Sequence, residues 1–272
     1  MLPYVYISGF PVPMYLLCWA IGLPLAGGFA IVRQRGGRFR VPADDFLHTV
    51  LLSFLGGIGG AKLLQTLVML LQHAQDPAFW SLKTWISIAF GGGVFYGGLL
   101  GALAAAWVYA RAYKVDFGNV TDLLLPPLLL FHVFARLGCF FAGCCYGSEA
   151  PWGIAFSHAK VAPNGVPLIP VQMIEAALVF LLLLALLLLR PERKRPGVIL
   201  PLYLAAYGFA RFFLEFLRGD MGRGVWLLST SQWISLIVVL PAAVLMLARL
   251  RRAAQRRAGR EKNACIAPGN PL

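Results

Sequence analysis

Seven stretches of this chain are apolar over the roughly 20 residues that an α-helix needs to cross a bilayer. They fall at about 11–32, 46–71, 85–110, 120–141, 169–189, 198–217 and 231–248. Hydrophobic residues make up 59% of the 272 and charged residues only 13%, with a mean hydropathy of +0.73. A soluble core of this size does not need that much apolar sequence. The predicted class is an all-α polytopic membrane protein of seven transmembrane helices, without a soluble module.

A net charge of +13 would suit nucleic acid if it formed one patch, but it is spread along the chain. Arg33, Arg35, Arg38 and Arg40 follow the first stretch, Arg111 and Lys114 the third, and Arg190, Arg193, Lys194 and Arg195 the fifth. Arg249, Arg251, Arg252, Arg256, Arg257, Arg260 and Lys262 follow the seventh. The alternate loops hold little beyond Lys83, Lys160, Arg218 and Arg223. The positive-inside rule then puts the N-terminus outside and the C-terminus in the cytoplasm, as an odd number of spans requires. No nucleic-acid partner is expected. The basic tail at 251–272 reads as an anchor against anionic lipid. Residues 1–250 read as one transmembrane helical domain, with a small external cap around 144–169 where Gly, Pro and aromatic residues replace the apolar run. No positive charge precedes the first stretch, so a cleavable leader is not expected and the first span stays in the protein.

Within these apolar stretches stand Lys62, Arg136, Glu175, Arg211 and Glu215. A charge at bilayer depth is costly unless it is paired or faces a polar cavity, so each is a candidate functional residue. Lys62 falls near the middle of the second span. The topology puts Arg136, Glu175, Arg211 and Glu215 toward the outer ends of spans four, five and six, and Tyr96 in the outer half of span three. Arg211 and Glu215 are four apart, share a helix face and can pair. Guanidinium forks bind phosphate oxygens bidentately and stay charged in poor solvent, so two arginines beside carboxylates suit a phospholipid. The competing reading is a set of ion pairs that only ties helices together, an expensive way to gain stability. Glycines cluster at Gly56, Gly57, Gly59 and Gly60, and again at Gly91, Gly92, Gly93, Gly97, Gly98 and Gly101. They fit close helix packing, or broken backbone that lines a cavity, and the two are compatible.

Four segments carry a family resemblance. Arg136-Leu-Gly-Cys139-Phe-Phe-Ala142-Gly143-Cys144-Cys145-Tyr146-Gly147, followed by Pro151-Trp152-Gly153, resembles the signature of the bacterial prolipoprotein diacylglyceryl transferases. Pro170-Val-Gln172-Met-Ile-Glu175 is similar to that family's Pro-x-Gln-x-x-Glu, and Arg211 to Arg218 to its Arg-Phe-x-x-Glu-x-x-Arg. Gly93 to Gly101 is similar to its Gly-rich third helix, and Tyr15 falls where the family has a tyrosine in its first helix. The signature here departs from the family's: Tyr96 stands where the third helix usually has His, Cys139 and Ala142 replace two Asn, and Cys144 replaces Glu. A phenol is a poor base at neutral pH; His132, one turn before Arg136, is a candidate to compensate.

The resemblance implies a multi-pass enzyme of the bacterial cytoplasmic (inner) membrane. It would move the diacylglyceryl group of phosphatidylglycerol to the lipobox cysteine thiol of prolipoprotein signal peptides, with no metal or organic cofactor. Arg136 and Arg211 would hold the phosphate, and Glu175 and Glu215 would position them or help the thiol proton depart. Tyr15 and Tyr96 would hydrogen-bond glycerol or ester oxygens, and Arg218 completes the substrate-binding set. Two alternatives stand beside this: a related lipid- or alkyl-transfer enzyme with another acceptor, and a membrane thiol- or metal-handling protein built on Cys139, Cys144 and Cys145. Those cysteines read as small buried replacements, as a disulfide on the outer side, or as a metal site or reactive thiol.

Overall fold

The chain is described from a computed structural model that covers all residues except 1, 2, 8, 40, 91, 92, 160, 194, 221–223, 226 and 267–272. Arg40, Gly91, Gly92, Lys160, Lys194 and Arg223 therefore lie outside the described residues, as do the side chains of Arg256, Arg257, Arg260, Lys262 and Cys265. A short hairpin, β1 (Tyr4–Ile7) and β2 (Phe10–Pro13), turns through Gly9 and leads into α1 (Met14–Arg35). Helices α2 (Ala43–His73), α3 (Leu82–Phe90), α4 (Phe95–Ala112) and α5 (Phe117–Ala142) follow. A second hairpin, β3 (Glu149–Ala155) with β4 (Pro167–Leu168), precedes α6 (Val171–Leu189) and α7 (Ile199–Leu214). A two-residue pair, β5 (Gly224–Val225) and β6 (Leu228–Ser229), leads to α8 (Thr230–Ile234), one π-helical turn at Ser235–Val239, and α9 (Leu240–Ile266).

Among the described residues, six helical segments are long and apolar enough to cross a membrane: Met14–Arg35, Ala43–His73, Phe117–Ala142, Val171–Arg193, Ile199–Leu217 and Thr230–Gln255. Many large apolar side chains on them are exposed, Leu63, Leu188, Phe209 and Val244 among them. A water-soluble fold would hide such residues, whereas lipid accepts them. The stretch read as a continuous third span at 85–110 is instead two helices, α3 and α4, with Gly93 and Val94 non-helical between them. Glycine leaves a helix at little cost, and here Val94 N–H donates across to the Ala61 carbonyl of α2 at 3.3 Å.

The chain forms two compact units, one of Ile31–Leu123 and one of Met1–Ala30 with Leu124–Leu272. In the Ile31–Leu123 unit, α2 and α4 meet through glycine. A Cβ on Gly60 would strike the Gly97 carbonyl, and one on Gly101 the Gly56 carbonyl. This is the close packing by small residues that membrane helices use. Lys62 Nζ donates to the Ile88 carbonyl at 2.9 Å, so this cation caps the C-terminal turn of α3, where helix carbonyls lack partners and the dipole favours positive charge. Arg33 plays a similar part. Pro126 and Pro127 inside α5 have no N–H, which leaves the carbonyls of Asp122 and Leu123 without helical donors. Arg33 supplies both, Nη2 to Asp122 at 2.8 Å and Nε to Leu123 at 3.3 Å.

In the other unit, Gly22 of α1 lies against Phe134 of α5, and Gly208 of α7 against Val239 of the π turn. A capping box joins Ser229 and Gln232 at the start of α8, and Gln232 Nε2 also donates to the Phe212 carbonyl of α7 at 3.3 Å.

Candidate active site

Arg136 sits in the penultimate turn of α5, Glu175 in the second turn of α6 and Arg211 in the last turn of α7, with Glu215 just beyond it. All four are buried. Arg136 Nη2 lies 2.9 Å from Glu175 Oε1, and Arg211 Nη2 lies 2.7 Å from Glu215 Oε2, the i, i+4 pair anticipated above. Two residues absent from the principal candidate set complete the arrangement. Tyr207 Oη donates to Glu175 Oε1 at 2.7 Å. His132 Nε2 accepts from Arg136 Nε at 3.2 Å and stands 3.5 Å from Glu175 Oε1. An accepting Nε2 puts the ring proton on Nδ1, so this hydrogen bond assigns a neutral imidazole. Tyr207 had a signal in the sequence: it precedes Arg211 and Glu215 at i, i+4, i+8, one polar stripe along α7.

The network is not closed. Arg211 Nη1 is buried and has no hydrogen bond among the described residues, and the same holds for Glu175 Oε2, 3.7 Å away. That separation is too long for a hydrogen bond. A buried donor left in this way costs free energy until something accepts from it. With His132 neutral, two guanidiniums and two carboxylates balance.

The remaining predicted residues are placed as follows. Tyr15, at the start of α1, packs on the backbone of Gly138 and lies within electrostatic range of Arg136, Cys139, Cys144 and Cys145. Arg218 spends its fork on Asp220, Nε to Oδ1 at 3.0 Å and Nη2 to Oδ2 at 2.9 Å. Tyr96 is buried in the first turn of α4, in the Ile31–Leu123 unit, with its ring 6.1 Å from that of Phe95. Lys62 belongs to that unit as well and serves the α3 end described above.

The signature between α5 and β3 is sewn to the ends of α6 and α7. Gly147 N–H donates to the Ile169 carbonyl at 2.9 Å, Ser148 N–H to Leu217 at 2.9 Å, and Gly219 N–H to Tyr146 at 3.1 Å. A Cβ on Gly147 would lie 2.6 Å from the Ile169 carbonyl oxygen, which is the physical reason for glycine after the aromatic residue. Gly143 ends α5 at φ +69°, the left-handed position that glycine takes without strain. Gln172 Nε2 donates to the Cys144 carbonyl at 2.6 Å, tying the signature to α6. Cys139, Cys144 and Cys145 are free thiols, partly buried. Hydrogen bonds from the Cys139 and Cys144 thiols hold the Cys145 pKa below the usual thiol range, against the effect of burial, and Arg218 and Arg136 add to this.

A family model described as prolipoprotein diacylglyceryl transferase matches residues 3–248. The phosphatidylglycerol–prolipoprotein diacylglyceryl transferase 2 of Clostridium perfringens (strain 13 / Type A) is 34% identical over 239 residues, 87% of this chain and 91% of the relative. The phosphatidylglycerol–prolipoprotein diacylglyceryl transferase of Clostridium tetani (strain Massachusetts / E88) is 31% identical over 81% of this chain and 87% of its own length. That of Bordetella avium (strain 197N) is 32% identical over 89% and 90%.

Proposed function

The chain belongs to the prolipoprotein diacylglyceryl transferase family, and on that premise we infer that it moves the diacylglyceryl group of phosphatidylglycerol to a cysteine thiol of prolipoproteins. The reaction forms a thioether between the thiol sulfur and the glycerol carbon. The carbon–oxygen bond to the phosphate breaks, and glycerol phosphate leaves with the electron pair. The acceptor thiol belongs to the lipobox of the substrate, so the protein supplies no nucleophile of its own. Its task is to bear the charge that develops on the departing phosphate and to receive or relay the thiol proton.

The observation that carries this reading is Arg211 Nη1, buried beside the Arg136–Glu175 pair and without a hydrogen bond among the described residues. A phosphate oxygen there would satisfy the orphaned donor and draw on both guanidiniums. Glu175 and Glu215 position the two forks or help the thiol proton depart. Tyr15 and Tyr96 are assigned to glycerol or ester oxygens, and Arg218 to the substrate-binding set.

The reading extends to the membrane. Six apolar helical segments, joined by the α3–α4 pair as a seventh crossing, would span the bacterial inner membrane, with the N-terminus outside and the basic 251–272 tail in the cytoplasm. Residues 1–250 are the transmembrane domain and 144–169 its external cap, with β3 and β4 as the cap's hairpin.

Complementation of a strain depleted of its own transferase tests the function, and Arg136→Lys tests the site. The wild-type chain should restore lipidation. Arg136→Lys should lose most turnover in a lipid-to-thiol assay, because one ammonium cannot reproduce the guanidinium fork. Near-normal turnover in a folded Arg136→Lys protein would rule out a bidentate phosphate contact there.

A further inference from the structure

Cys139, Cys144 and Cys145 place three thiols within seven residues where α5 ends. The three Sγ atoms lie within 4.8 Å of one another. We propose that Cys139, Cys144 and Cys145 form a binding site for a thiophilic divalent cation of the zinc class, distinct from the Arg136–Glu175–Arg211 network and independent of the transfer reaction assigned to it.

Geometry supports the assignment. Thiolates bound to zinc at about 2.3 Å stand about 4 Å apart in a tetrahedral or trigonal set, so the three sulfurs need only small rotations to share one ion. The backbone is folded to bring them there. Cys139 lies in the last turn of α5, Gly143 turns left-handed at φ +69°, and the Cys144 N–H returns to the Cys139 carbonyl at 3.1 Å. Cys145 itself is held at φ +61°, a conformation that a side chain other than glycine rarely takes, and such outliers cluster at ligand-holding sites. Gln172 fixes the Cys144 peptide from α6 through the 2.6 Å hydrogen bond to its carbonyl, the kind of outer support that metal ligands receive.

Chemistry and charge agree with the geometry. A pure sulfur donor set selects soft cations and disfavours Mg²⁺ and Ca²⁺, which take oxygen ligands. Each thiol releases its proton to solvent as it ligates, so three thiolates around a divalent ion leave a net charge of minus one. The thiols are only partly buried, so an ion can enter, and the fourth position is open to water. Loaded, the site would clamp the end of α5 to the start of the cap. The two-apart pairing common in zinc sites is missing, which is why spacing alone did not decide for it.

The test uses the full chain in detergent, reduced, with Cys18→Ser and Cys265→Ser to remove the other thiols, and Cd²⁺ as the probe. Titration should give one saturable equivalent with a thiolate-to-cadmium charge-transfer band, insensitive to excess Mg²⁺ or Ca²⁺ and displaced by Zn²⁺. Cys139→Ser, Cys144→Ser and Cys145→Ser should each weaken binding by at least about 100-fold. Alkylation of the three thiols before cadmium is added should abolish the band in a chain that carries no substitution at them, which guards against a misfolded variant. Binding that survives alkylation or any two of the serine variants would overturn the site. So would a reduced protein that binds no cadmium, whether or not two of these thiols close into a disulfide on oxidation. Transferase activity is not the readout, so failure here leaves the transfer reaction untouched, and failure of complementation leaves this site untouched.

Discussion

Glu175→Gln isolates the charge at the centre of the site while keeping its shape. Glu175 faces Arg136 at 2.9 Å and Arg211 at 3.7 Å, and accepts from Tyr207 at 2.7 Å. An amide oxygen still accepts from the phenol and from one guanidinium, so the hydrogen bonds largely survive and the loss is electrostatic. Removing one partner of a buried ion pair costs about 3–5 kcal/mol because the other charge is left uncompensated. With the hydrogen bonds retained, the lower end applies, about 3 kcal/mol. At roughly 2–4 °C per kcal/mol, the melting temperature in detergent should fall by roughly 6–12 °C. The site then holds two guanidiniums against Glu215 alone, a net positive charge that a phosphate can neutralise. Glycerol phosphate at 100 times its Kd stabilises a folded state by about 2.7 kcal/mol, so it should recover most of the lost stability in Glu175→Gln. In the wild type, where Glu175 competes for the same guanidiniums, the recovery should be smaller. Equal melting temperatures for the two proteins, or an equal response to glycerol phosphate, would refute Glu175 as the counter-ion of an anion site.

Two further outcomes are expected. Arg33→Ala orphans the two carbonyls freed by Pro126 and Pro127 and should cost roughly 2–4 kcal/mol, but much less in a Pro126→Ala/Pro127→Ala background, where helical donors return. Thermal unfolding of the four proteins reads the coupling, and additive losses would show that Arg33 does not serve those carbonyls. Tyr96→Phe should reduce turnover by roughly 2- to 10-fold while lipid binding holds, the scale of one neutral hydrogen bond, and Tyr96→His should keep or raise diacylglyceryl transfer. A fully active Tyr96→Phe would make this phenol a packing residue.

The buried charged cluster was legible because charge in an apolar stretch is rare enough to be informative. Arg136, Glu175, Arg211 and Glu215 were named from depth alone, and they meet within ion-pair distance. The same criterion also singled out Lys62, which serves a different purpose. A cation inside a span can face a ligand or cap a broken helix, and choosing between them requires knowing where a helix breaks. That break lies beside a glycine run inside an apolar stretch that reads as continuous, so periodicity and length could not reveal it. Tyr207 was missed for the opposite reason: tyrosine is common in membrane helices, and only its register with Arg211 and Glu215 distinguishes it. Arg33 shows the deeper limit. Counted with its neighbours, it is one more positive charge after the first span, and the topology argument needs nothing else from it. Its two hydrogen bonds reach residues 89 and 90 positions away, and they exist because two adjacent prolines withdraw two adjacent donors. The need is written plainly at Pro126 and Pro127, but a freed carbonyl does not say which distant donor will answer it. Composition therefore reports what a residue costs in lipid, while the fold decides which partner meets that cost.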